Sequence, residues 1–268
     1  MKRFEYMKVP LSVLKYSNES HDIKFLSTYM YLYMTSNPAG YFYTSLDQIC
    51  RTLEITYDTR LTKMDAYRET LDLMSRDILD SKNEVIMSQI LDYDIYLNSK
   101  ESEEEEEDNK TKTKKKKSNI SETPDIFKIN GKDIILINLL STNDDVTDSY
   151  LKVFFDEYDY LLQINKDYTK RIGRRLNLGT LVSLYLNIKY AITIHDTFSK
   201  NIVSLTPVSV ASLCKKIGLA NRTVNAYINI LEDYKMITVQ RSKPLNDKEY
   251  FANKYTLNSK WREDYYKS

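Results

Sequence analysis

Asn221, Arg222, Thr223, Asn225 and Asn229 lie opposite an apolar stripe of Val224, Ile228 and Leu231 at i, i+4 and i+7. These polar types match the edges of nucleic-acid bases. An arginine can pair with O6 and N7 of guanine, and an asparagine with N6 and N7 of adenine. Thr223, Lys215 and Lys216 suit phosphate oxygens, contacts that position without reading sequence. Arg241, Lys243 and Lys248 downstream, with Arg174 and Arg175 upstream, add cations for the same backbone contacts. The chemistry on offer is recognition, with no bond made or broken.

The elements that must hold these residues can be read around them. Thr206 as cap and Pro207 at the first helical position predict a helix start. Val210, Leu213, Cys214 and Ile217 continue that helix, and Gly218 is placed to end it. Asn221 is then the expected cap of a second helix, and β-prone runs follow over 237–241 and 250–257. Helix, short turn, helix and basic hairpin predict a winged helix-turn-helix, whose second helix enters a DNA major groove. The stretch Asn221-Arg222-Thr223-Val224, then Ile228, Leu231 and Met236-Ile237, resembles the helix-turn-helix pattern of phage and plasmid replication proteins.

The N-terminal half carries the same order of blocks. Leu46, Ile49, Cys50 and Leu53 match Val210, Leu213, Cys214 and Ile217 at one constant offset. Tyr6-Met7-Lys8-Val9 corresponds to Tyr150-Leu151-Lys152-Val153, and the apolar helix over 26–34 to that over 181–192. Within this half the patterning predicts a β-prone run over 4–14, which Pro10 ends or places at a sheet edge, a helix capped by Ser20, a strand over 41–43 and a helix from Thr44 or Ser45. A long helix over 58–80 and strands over 84–90 and 93–97 complete it. The expected class is α+β and mainly helical, with two winged helix-turn-helix domains in tandem joined by a charged flexible linker. Module one covers 1–98, the linker 99–124, and module two 125–268, beginning with a hairpin at Asn130-Gly131. Within the linker, residues 101–119, an acidic block followed by a lysine block, have no apolar residue to bury. In module one, Thr59, Arg60 and Lys63 occupy the equivalent recognition position, but Asp58, Asp65, Glu69 and Asp72 dilute the charge. That leaves both DNA contact and dimerisation open for this module.

Composition narrows the function classes. The 268 residues carry a formal net charge of +1, but between residues 166 and 243 thirteen Lys or Arg face four acids. Two cysteines without a CxxC pair argue against a disulfide scaffold or zinc knuckle, and their aliphatic neighbours predict burial. No apolar run approaches the roughly 20 residues of a membrane span, and the first ten residues lack a signal-peptide core. A cytoplasmic location is expected. None of the five glycines lies in a phosphate-cradling motif, and two histidines do not make a His-x-His metal pair. Asp144, Asp145 and Asp148 fit no ligand loop, and His195-Asp196 reads as a surface pair. No enzyme, cofactor or metal is expected.

The leading segment YMKVPLSVL, followed by helix, glycine turn and helix-turn-helix, looks like the N-terminal domain of DnaD-type and RepA-type replication proteins. Two winged helices in one chain are similar to iteron-binding plasmid initiators. The resemblance implies binding of repeated origin DNA and recruitment of host replication proteins. A homodimer through module one is the alternative that its mixed charge leaves to DNA contact there. A second winged helix in place of the DnaD-type helical domain departs from that pattern. A transcriptional regulator of a mobile element, binding an operator, would need the same groove contacts.

Overall fold

The computed structural model describes residues 6–37, 40–53, 60–96, 125–140, 149–173, 176–199, 205–241 and 252–266. Strand β1 (Tyr6–Pro10) runs into α1 (Leu11–Ser20), α2 (Ile23–Thr35), β2 (Tyr41–Thr44), α3 (Leu46–Leu53) and α4 (Arg60–Met74). Strands β3 (Ile78–Leu79), β4 (Val85–Met87) and β5 (Leu91–Tyr96) follow. A 3-10 turn (Ile126–Lys128) leads to β6 (Ile134–Leu139) and β7 (Tyr150–Phe154). The chain continues through α5 (Phe155–Ile172), α6 (Leu178–Ser199), β8 (Thr206–Val208), α7 (Val210–Ile217) and α8 (Asn221–Asp233). It finishes with β9 (Ile237–Gln240), β10 (Asn253–Leu257) and α9 (Trp261–Tyr265). The fold is α+β, with small antiparallel sheets.

Two compact units emerge: Met1–Met34 with Thr147–Ser268, and Thr35–Val146. This corrects the predicted boundaries. Strand β1 does not stay with the rest of the N-terminal half but pairs antiparallel with β7, matching Tyr6 to Phe154 and Pro10 to Tyr150. Its inward side chains Met7 and Val9, with Leu151 and Val153, are 0–2 % exposed, so the pairing buries an apolar face. The charged run is not the connection between units either. Strands β5 and β6, which flank it, are neighbours in one sheet of order β2-β6-β5. Residues 97–124 themselves, and hence the expected flexibility, lie outside the described residues.

In the unit of Thr35–Val146, Ile135, Ile137 and Leu139 of β6 are buried with Leu91 of β5 and Leu46, Ile49 and Leu53 of α3. Asn130-Gly131 does not turn a hairpin. It is the tight bend between the 3-10 turn and β6, closed by Asp133, whose side chain accepts from the Asn130 N–H at 2.7 Å. Strand β6 joins β2 and β5, so it is no appendage of the second half. Helix α4 ends at Met74, short of the predicted 80, and Ile78 opens the β3–β4 hairpin instead. Asn83 in the left-handed region (φ 62°) and Asp80, accepting from the Lys82 and Glu84 N–H groups, make that turn.

In the other unit, residues 11–14 are helical rather than β-prone, because Pro10 ends the strand and sits as the cap of α1. Asp22, not Ser20, caps α2, accepting from the Lys24 and Phe25 N–H groups at 3.0 and 3.3 Å. Helices α2 and α6 approach closely at Gly179, where a Cβ would stand 2.4 Å from the carbonyl oxygen of Ile23. Helix α5 is held by one carboxylate. Glu157, 6 % exposed, accepts from the Phe154 N–H at 3.0 Å and from the Tyr185 hydroxyl at 3.1 Å, and pairs with Lys189. Burial pushes the Lys189 ammonium below its usual value, opposed by the Glu157 charge.

Removing one partner of such a buried pair leaves the other charge uncompensated. Lys189→Met is expected to lose about 3–5 kcal/mol in urea denaturation, with much of it recovered in the Glu157→Gln, Lys189→Met double variant, which removes the charge but keeps an amide oxygen for the Phe154 N–H and an amide group for the Tyr185 hydroxyl. Equal losses in both would show that the pair is not what holds α5 to α6.

Candidate nucleic-acid interface

The predicted reading helix forms, with two corrections to its approach. Thr206 and Pro207 lie in β8, not at a helix start, and Ser209 caps α7, its hydroxyl accepting from the Ser212 N–H at 3.0 Å. A strand is preferred there because Thr206–Val208 pairs with β10, and Val208 and Thr206 alternate inward. Gly218 ends α7 as expected, in the left-handed region (φ 68°), where a side chain is strained. Gly218, Leu219 and Ala220 then turn the chain into α8. Ala220 is the cap position and Asn221 the first helical residue, so the Asn221 side chain does not cap.

Val224, Ile228 and Leu231 are 0, 1 and 0 % exposed, which fixes the roll of α8. Each such burial stabilises by about 1.5–3 kcal/mol. Asn221, Arg222 and Asn229 consequently face outward, while Thr223 and Asn225 are half-buried. Asn225 donates from Nδ2 to the Asn221 carbonyl at 3.0 Å and also contacts its side-chain oxygen. Asn229 accepts from Arg241 at 2.7 Å, and the same guanidinium nitrogen pairs with Glu232 at 2.6 Å. That bond lifts the Arg241 pKa further, so Arg241 clasps the end of β9 onto α8 and shares its charge with Glu232. Arg222 has no hydrogen bond or ion pair to another described residue.

The far end of α8 is clamped to α5. Tyr234, its C-cap, donates its hydroxyl to Asp167, accepts from Arg171 at 3.3 Å, and offers its carbonyl to the Tyr160 hydroxyl at 3.3 Å. Burial first, and then Asp167, push the Tyr234 phenol up to about 12. Tyr227, half-buried on α8, accepts from the Asn177 N–H at 2.8 Å, and burial raises its phenol too. Sequence reasoning missed these anchors, because with 23 tyrosines in the chain no spacing marks these few. The sheet behind α8 has order β8-β10-β9, with Tyr255 of β10 fully buried between the outer strands.

Among the flanking cations, Lys215 is exposed, and half-buried Lys216 places Nζ 5.9 Å over the Tyr190 ring. Lys243, Lys248, Arg174, Arg175 and Thr59 lie outside the described residues, as do Asp144, Asp145 and Asp148. Arg60 and Lys63 belong to the first turn of α4, their side chains also outside that description. Farther along α4, Arg68 is committed to structure, pairing with Asp65 and donating to the Ile129 carbonyl at 2.6 Å. Cys50 and Cys214 are half-buried rather than buried, and burial raises the Cys214 thiol. Among the described residues no group of three or more His, Cys, Asp or Glu is placed to hold a metal ion. Nor is any described helix long and apolar enough to cross a membrane. No protein-family model, curated protein or solved structure matches the chain.

The Tyr234 clamp has an alkaline signature. Its folded pKa lies above the ordinary value of 10.0, so its contribution is fully present below pH 10 and is lost as pH rises towards about 12. Tyr234→Phe is expected to remove one late phenolate step from an ultraviolet titration and to flatten the alkaline fall in stability. An unchanged titration would place that proton on another residue.

Proposed function

We propose that this chain is a sequence-specific binder of double-stranded DNA built from two winged-helix modules, with α8 entering the major groove. The observation that carries the reading is α8 itself. Its aliphatic underside is fully buried, and its outer surface presents Arg222 with no competing partner among the described residues. The order β8-α7-α8-β9-β10, with β10 central in the sheet, is the order a winged helix needs.

The first module has a related order, β2-α3-α4-β5-β6 with the β3–β4 hairpin inserted after α4, and β6 is central in its sheet. Ser45 and Ser209 cap α3 and α7 alike, accepting from the N–H groups of Gln48 and Ser212. Residues 97–124 fall in chain order between β5 and β6, as residues 241–252 fall between β9 and β10. We further propose that the protein acts without catalysis as a replication initiator of a plasmid or phage, binding repeated origin DNA and engaging host replication proteins. That role rests on the resemblance of Asn221-Arg222-Thr223-Val224 and the leading YMKVPLSVL segment to such proteins.

Selection of bound sequences from random duplexes by the full chain is expected to return a defined motif. Direct repeats of that motif near the gene favour the initiator, a single palindrome at a promoter favours a regulator, and no enrichment defeats DNA reading altogether. Arg222→Ala is expected to cost roughly 1–3 kcal/mol of specific binding and to relax one base position. Retention of both affinity and preference would remove Arg222 from the reading surface. Affinity should also fall steeply and log-linearly with salt, as phosphate neutralisation requires; a flat dependence measured by fluorescence anisotropy contradicts the cationic face.

A further inference from the structure

Helices α1, α6 and α7 line an open cleft of about 750 Å³ that includes no residue of α8. The volume lies within the range of about 300–1,000 Å³ typical of small-molecule sites. Its walls divide by chemistry. Leu11 and Leu14 of α1, with the ring of Tyr190 from α6, supply an apolar floor. Lys15 from α1, with Lys215 and Lys216 from α7, supplies three ammonium groups. Glu19 is the one acid among the lining residues, and it already faces Lys15 at 3.9 Å, so the cleft keeps a net positive charge.

The cleft is braced from both sides. His21, in the left-handed conformation that ends α1, places Nδ1 3.3 Å from the Lys216 carbonyl oxygen. A Cβ on Gly218 would come within 2.7 Å of the His21 ring, so the loop after α1 and the end of α7 are in direct contact. Asn18 and Asn187 exchange reciprocal amide bonds at 2.9 Å, fixing α1 on α6. Both walls are therefore held before any ligand arrives. An apolar floor beneath a cationic rim is the complement of a molecule that is apolar at one end and anionic at the other.

We infer that this cleft binds a small organic anion, with an apolar or aromatic body on Leu11, Leu14 and Tyr190 and a carboxylate or phosphate among Lys15, Lys215 and Lys216. Acyl carboxylates and nucleotides share that chemistry. Lys215 and Lys216 also belong to the proposed phosphate-contacting surface, so occupancy would oppose DNA binding. That consequence alone rests on the DNA-binding reading; the cleft itself does not.

The test is calorimetric titration of the full chain, without DNA, using decanoate, ADP and inorganic phosphate as probes. At least one of the two organic anions is expected to bind one to one, more tightly than inorganic phosphate. Which of them binds identifies the class. Lys15→Glu, at a side chain 67 % exposed, is expected to weaken that binding by about tenfold or more with the melting temperature unchanged. Ser212→Trp, which fills the cleft from α7, should abolish it. Binding of neither organic anion, binding no tighter than inorganic phosphate, or full affinity retained in both folded variants would overturn the inference. Competition of the bound anion with duplex DNA is a separate titration, and its failure would count against the proposed DNA surface while leaving the cleft standing.

Discussion

The pairing of β1 with β7 is the constraint on which the larger of the two units depends. It joins a strand at residue 6 to one at residue 154, so α1 and α2 are carried away from the chain that follows them and packed with α5 and α6. The register has a symmetry of its own. Lys8 pairs with Lys152, the residue that corresponds to it in the internal repeat, and each ammonium sits over the tyrosine of the opposite strand. Two copies of one motif thus meet as the two subunits of an isologous dimer would, within a single chain. The inward residues are nearly identical in character, Met7 and Val9 against Leu151 and Val153, and this makes the pairing self-complementary.

Around that ribbon the polar groups do structural work that leaves the outer face of α8 available. Glu157 ends the strand, starts α5 and neutralises Lys189, combining three roles in one buried carboxylate. Asp167, Arg171 and Tyr234 fasten the C-terminal end of α8 to α5, while Arg241 and Glu232 fasten the end of β9 to its last turn. Several basic residues that count towards a cationic surface are thereby partly neutralised. The charge density of the segment from 166 to 243 overstates what a phosphate backbone would meet. Arg222 and Lys215 have no ion pair to another described residue, and Lys216 places its ammonium over the Tyr190 ring.

The apolar spacing was legible residue by residue. Val224, Ile228 and Leu231, and equally Ile49 and Leu53 with their counterparts Leu213 and Ile217, are buried as their periodicity requires. Gly218 is where the left-handed turn falls. The local errors have local causes. Thr206-Pro207 reads equally as a capped helix start or as an edge strand, and only the partner strand β10 decides between them. The run after Pro10 alternates too briefly to separate strand from helix, so α1 went unrecognised, and with it one wall of the cleft.

By itself the sequence determined helices α2, α3, α4, α6, α7 and α8, the order of the repeated blocks and the roll of α8, because these follow from side-chain periodicity within a single element. Only the tertiary structure decided which strands pair. Strand partners are chosen by long-range burial and hydrogen bonding, which leave no mark in a local pattern. That is why β1 and β7 were read as equivalents when they are also partners. It is also why a charged run between β5 and β6 looked like a boundary between domains, although the two strands that flank it lie side by side.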